Sequence, residues 1–142
     1  MTTAQRRETI DRLRSAARLG VGGGAGEGAG YALVELGRSQ AFWEGDGSDR
    51  VAAAEQIGAE YTALVQALTD GWGEPDVVGM GTVQERWASG EEIPAPWREV
   101  SGTTDHVHLW RVAEEWVAVY AAAGGEEQPL LLMAAVTATD PP

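Results

Sequence analysis

The C-terminal part of the chain constrains the fold most. Three runs of strand-forming residues, 106–112, 116–122 and 130–136, follow one another with only a few residues between them. Connections that short join antiparallel neighbours, because a parallel crossover needs about a dozen residues or more. Ala113-Glu114-Glu115 reads as the tight turn of a hairpin, and Gly124-Gly125 begins the link to the third run. That third run, LLLMAAV, is apolar at every position, which predicts a strand inside a sheet and buried on both faces.

Upstream, residues 49–70 carry Val51, Ala54, Ile57, Tyr61, Leu64, Val65 and Leu68 at helical spacing. An N-cap is expected at Ser48 or Asp49, and Asp70-Gly71 is expected to end the helix. The stripe is broad enough to lie across a sheet. Residues 31–43, YALVELGRSQAFW, predict a further sheet segment in which Gly37 marks a bulge or turn. Residues 76–80 predict a short strand after Pro75, and 82–88 a turn or two of helix. The two prolines of EEIPAPW predict an extended connection to Trp97. The expected architecture is α+β: a mostly antiparallel sheet covered on one face by a long helix.

Residues 1–19 contain five Arg and two acids, a net +3, whereas residues 20–142 contain five Arg and twenty acids, a net −15. Ile10, Leu13 and Ala17 give the first segment only a narrow apolar stripe. Seven glycines then fall within residues 20–30, too many for a helix to persist. The expected organisation is a basic helical arm and Gly-rich linker over 1–30, separable from a single domain over 31–140.

Composition removes several chemistries. The 142 residues include no Cys, and every one of the ten basic residues is Arg. Disulfides, thiol nucleophiles, thiolate metal sites and lysine Schiff bases are therefore excluded. A net charge of −12 disfavours nucleic acid, whose binding rests on neutralising phosphates, and favours a basic partner. No apolar window is long enough to span a bilayer, and the first residues lack the apolar core of a secretory signal, so a cytoplasmic protein without a membrane partner is expected.

Among candidate sites, Gly24-Ala25-Gly26-Glu27-Gly28-Ala29 has the wrong spacing and neighbours for a dinucleotide loop, and Glu27 would repel a phosphate. No serine lies in a nucleophile-elbow setting. Glu91-Glu92, Glu114-Glu115 and Glu126-Glu127 fall in predicted turns, where adjacent carboxylates form a solvated rim. His106 and His108 would share one strand face and could hold a metal with a carboxylate from elsewhere, yet H-x-H alone is a weak signal. Against it stands a sheet-core rim continued by Trp110 and Val112, so neither metal nor cofactor is expected.

Six tryptophans against one Phe and three Tyr mean that Trp supplies most of the large apolar volume. Trp43, Trp110 and Trp116 are expected in the core, while Trp72, Trp87 and Trp97 fall in connecting segments where an indole could anchor a partner.

The segments AFWEGDGSDRVAAAEQIGAEYTALVQALTDGWGEPDVV, VHLWRVAEEWVAVYAAAG and PLLLMAAV resemble a loose group of small actinobacterial proteins over about residues 31–138. Its marks are a helix ending in W-G-E-P, a Trp-rich hairpin and an apolar final strand. The resemblance implies a compact α+β fold and assigns no activity. Charge, size and the missing catalytic groups favour a non-catalytic protein-binding module, of the acidic immunity or chaperone-like kind. Its basic protein partner would contact Trp72, Trp87, Trp97, Glu91, Glu92, Glu114 and Glu115. The alternative is a small ligand-binding protein or enzyme with a pocket between sheet and helix, metal-dependent through His106 and His108.

Overall fold

The computed structural model describes residues 2–18, 31–39, 48–123 and 129–142. The Gly-rich stretch 20–30, Trp43, Gly124-Gly125 and Glu126-Glu127 lie outside the described residues. In chain order the elements are α1 (Thr3–Arg18), β1 (Tyr31–Arg38), α2 (Ser48–Trp72), β2 (Asp76–Gly79), α3 (Gly81–Ala88), α4 (Trp97–Ser101), β3 (His106–Val112), β4 (Glu115–Ala123) and β5 (Leu130–Thr137). The strands form one antiparallel sheet in the order β1-β5-β4-β3-β2. The all-apolar run is β5, paired on one side with β1 and on the other with β4. Its alternate residues enter different cores: Leu132, Ala134 and Val136 on one face, Ala135 with Leu131 and Met133 on the other.

The first face is covered by α2 together with α1. Ala53, Ile57, Tyr61, Leu64 and Leu68 are the buried residues of α2. Val51, expected in that stripe, is exposed: seventeen residues before Leu68, at about 100° per residue, it points about 100° away from it. The helix also runs past Asp70-Gly71 and stops at Gly73, which takes the left-handed conformation at φ +91°. The second face is covered as well, by Met80, Val83, Ile93, Trp97 and Val100 from β2 to α4.

The hydrophobic stripe of α1 is narrow, and its described residues are in the core. Ile10 and Leu13 are buried in the first core beside Leu36, Leu64, Leu68 and Leu132. Three arginines complete the docking. Arg6, 4% exposed, donates from Nε to the Leu36 carbonyl at 3.0 Å and from Nη2 to Glu60 Oε1 at 2.7 Å. Leu36 is the extra residue of a bulge between Glu35 and Gly37 in the β1–β5 register, so the guanidinium engages backbone that the ladder does not pair.

Arg7 Nη1 donates to the Ala67 carbonyl near the C-terminus of α2, a helix with no basic residue in its own last turn. A Cβ on Gly71 would collide with the Arg7 guanidinium, so glycine there permits the approach. The guanidinium carbons of Arg7 and Arg14 lie 5.8 and 5.5 Å from the Trp72 ring centre. Helix α1 therefore packs against the body, where the sequence alone suggests a separable arm: the two apolar contacts of Ile10 and Leu13 would hold such a helix weakly, but the buried guanidinium adds contacts that no hydropathy pattern displays.

Deleting residues 1–18 is thus expected to abolish the cooperative urea transition. Ile10→Ala should lower stability by about 2–5 kcal/mol, and Arg6→Ala by roughly 3 kcal/mol, since it leaves the Leu36 carbonyl and the Glu60 carboxylate without their donor. A truncated chain that melts like the intact one would contradict this assembly.

Candidate functional site

The partner-contact residues expected from the sequence divide sharply. Trp87, in the last turn of α3, keeps half of its surface exposed. It is held at the surface by the way α3 ends. Gly90 adopts φ +92°, the Gly90 amide donates to the Trp87 carbonyl, and the Glu91 amide donates to the Arg86 carbonyl. This is a Schellman motif, and the sequence W-A-S-G-E supplies its left-handed glycine. The reversal brings Glu91 back onto Arg86, whose Nε donates to Glu91 Oε2 at 2.5 Å.

Trp87 and Glu92 join Ile93, Pro94 and Arg98 around an open depression of about 320 Å³. The Arg98 guanidinium carbon stands 5.3 Å from the Trp87 ring centre. Glu91 and Glu92 are both exposed. The ridge thus combines an accessible indole, two aliphatic groups and an excess of carboxylates, with Glu85 and Glu99 exposed on the same two helices. The order of the sequence gives no sign that Arg98 would cover Trp87, because the two meet only when α4 folds back beside α3.

The remaining expected contacts are elsewhere, and two are corrected outright. Trp97 is fully buried in the second core, where its Nε1 donates to the Thr139 carbonyl at 3.0 Å. The EEIPAPW segment ends in the helix α4 instead of leading to an exposed indole. Glu115 is 4% exposed: it is the first residue of β4, opposite Val112, and lies 3.5 Å from Arg14 Nε. The turn holds two residues, Ala113 and Glu114, with Ala113 at φ +56°, so strand alternation sends Glu115 inward and leaves only Glu114 exposed. Trp72 is half-buried against Arg7, Arg14 and the edge of Trp110, 6.0 Å between ring centres.

His106 and His108 do share a face, on the side of α2. His106 is exposed and His108 half-buried, with 6.0 Å between ring centres. What the sequence reading missed is Tyr61, counted there only as core. Its hydroxyl lies 2.8 Å from the Val119 carbonyl and 2.7 Å from His108 Nδ1. A phenol has one proton; when the Val119 carbonyl accepts it, His108 Nδ1 must donate to the phenol oxygen, which leaves Nε2 as the acceptor nitrogen of a neutral ring. Burial raises the Tyr61 phenol to about 12, partly offset by hydrogen bonding with the His108 backbone. Burial also lowers His108 below its ordinary 6.5, and the like charge of His106 lowers it further. Among the described residues no group of three or more His, Cys, Asp or Glu is placed to hold a metal ion. No helix among them is long and apolar enough to cross a membrane.

The lowered His108 predicts acid sensitivity with a definite sign. Below about pH 6.5 the unfolded chain takes up a proton that folded His108 resists, so stability falls as pH drops from 7.5 towards 5. Urea titrations across that range should show the slope, and His108→Gln should flatten it while His106→Gln, changing only the lesser cause, leaves most of it. An unchanged slope in His108→Gln would assign the sensitivity to another group.

No protein-family model, no curated protein and no solved structure matches this chain.

Proposed function

We propose that the chain is a non-catalytic protein-binding module that receives a basic protein partner on the acidic ridge around Trp87, in the manner of an immunity or chaperone-like protein. The observation that carries this reading is the half-exposed Trp87, set among Ile93, Pro94, Glu91 and Glu92. Trp is among the residue types that most often dominate binding energy, and the surplus of exposed carboxylates, Glu85, Glu91, Glu92 and Glu99 against Arg86 and Arg98, favours a cationic counterpart.

The fate of the N-terminal arginines strengthens the charge argument. Arg6, Arg7 and Arg14 are turned onto the body, and Arg12 pairs with Glu8 on the same helix. Among the arginines of that segment whose side chains are described, Arg12 alone stays largely exposed, and it carries its own counter-charge. This also weighs against a subunit that reaches its neighbour with a basic arm.

The two kinds of contact act on different rate constants. Desolvating the indole is worth about 2 kcal/mol or more, whereas exposed carboxylates typically contribute under about 1 kcal/mol each and chiefly accelerate encounter. Binding kinetics with the protein retained from a lysate of the source organism should separate them. Trp87→Ala is expected to speed dissociation at least about tenfold at any salt concentration. The double change Glu91→Arg and Glu92→Arg should slow association mainly at low ionic strength. If nothing is retained at low salt, or if whatever is retained is indifferent to Trp87→Ala, the ridge is not the binding face.

A further inference from the structure

The sheet ends in two edges of different character. On β1 the bulge between Glu35 and Gly37 breaks the ladder, and the exposed charges of Glu35 and Arg38, 2.7 Å apart, mark the strand. Bulges and charges are the usual devices that stop an edge from recruiting another strand. On β2 neither is found at the centre: the residues are Asp76, Val77, Val78 and Gly79, and Val77 is 64% exposed, the most exposed large apolar side chain among the described residues.

The hydrogen-bond parity of β2 follows from one contact. The Met80 amide donates to the carbonyl of Asp105, the residue directly opposite it in the β2–β3 register, at 2.7 Å. Opposed residues that exchange such bonds alternate with opposed residues that do not. Asp76 and Val78 therefore bond inward to β3, and the backbone N–H and C=O groups of Val77 and Gly79 point away from the sheet. The same parity carried across β3 makes Val112 and Glu115 a bonded pair, as a two-residue hairpin turn requires. A Cβ built on Gly79 would meet nothing within 4 Å, so the sheet face over this end of the strand is open.

We propose that a second copy of this chain adds to β2, edge to edge, forming a twofold dimer with a continuous ten-stranded sheet. The outward residues lie one on each side of Val78, so a twofold axis at Val78 sets Val77 of each copy opposite Gly79 of the other. All four outward N–H and C=O groups of each copy are then paired. The exposed Val77 side chain lies over the open space at Gly79 of the second copy, on the sheet face that carries His106 and His108. A strand of unrelated sequence could use the same groups, but self-pairing about Val78 by itself sets the open space at Gly79 opposite each exposed Val77.

Charge opposes the dimer without forbidding it. The two Asp76 side chains would stand about 13 Å apart along the strands, four residues at about 3.3 Å each, beyond the screening length of about 8 Å at physiological salt. The net −12 of each chain remains a long-range repulsion, so added salt must tighten the dimer.

Sedimentation of the tag-free full chain from about 1 to 200 µM, in 50 and in 500 mM NaCl, tests this. The expected result is a concentration-dependent dimer whose dissociation constant falls at least about threefold in the higher salt. Val77→Pro removes an outward N–H that β3 does not use, and should raise that constant at least about tenfold while far-UV dichroism stays native. Val77→Glu, at an exposed side chain, provides the same test should the proline perturb the strand.

Because the chain has no cysteine, register can be read directly. Val78→Cys would place two thiols on the axis in a non-bonded pair, with Cα atoms about 4.5 Å apart and within disulfide range. It should crosslink under mild oxidation, whereas Asp76→Cys should not. A monomer at 200 µM in both salts, a dimer indifferent to both Val77 changes, or crosslinking of Asp76→Cys as fast as Val78→Cys would each overturn the proposal.

Discussion

The contact on which the assembly turns is the Arg6 guanidinium at the β1 bulge. It joins three elements distant in sequence: α1, which carries it; β1, whose Leu36 carbonyl accepts from Nε; and α2, whose Glu60 accepts from Nη2. The need is mutual. A bulge beside a helix layer leaves backbone polar groups that must find partners, and a buried guanidinium must be matched by acceptors. Gly37 lies beside the meeting, where a Cβ would stand at ordinary contact distance, 3.5 Å, from Arg6 Nη2 and Leu132 Cβ. Once Arg6 is seated, Ile10 and Leu13 fall one and two turns further along the same helix face, into the core.

Arginine as the only strong cation shapes the rest of the structure. Guanidinium groups stack on indoles in a way that the compact ammonium of lysine does less well. Four such contacts involve Trp72, Trp87 and Trp116. The indole N–H groups of Trp97, Trp110 and Trp116 donate to the Thr139 carbonyl, the Gly73 carbonyl and Asp140 respectively. Large aromatic volume thus enters both cores, through Trp110 and Trp97, with its polar atoms satisfied. Trp87 differs in keeping half its surface in water while stacked by Arg98, and this is why it, and not Trp97 or Trp72, stands at the centre of the functional reading.

The surface around Trp87, the half-buried Tyr61–His108 contact and the β2 edge, whose Val77 stands opposite His108, answer to different variables. Binding at the ridge, as proposed, would be governed by desolvation of an indole and by screened charge. The Tyr61–His108 contact responds to protons, because a half-buried imidazole next to another imidazole resists a positive charge. The edge is governed by backbone hydrogen bonds, which neither charge reversal nor mild acid alters directly.

Local pattern by itself determined the α+β class, the long helix, the hairpin, the interior position of β5 and the irregularity at Gly37, because periodicity and turn chemistry act over a few residues and need no partner. It also determined that His106 and His108 share a face, and that Trp87, Glu91 and Glu92 lie close together around a helix end. Tertiary structure alone decided which residues stay accessible. The run before Trp97 looks like an exposed connection until α4 closes the second face of the sheet over it. Glu115 reads as a turn carboxylate until a two-residue turn moves it onto the strand and inward. Arg6, Arg7 and Arg14 read as a basic arm until a bulge, a helix end and an indole take them up. In each case the deciding quantity is the distance between groups far apart in sequence, and no local preference encodes it.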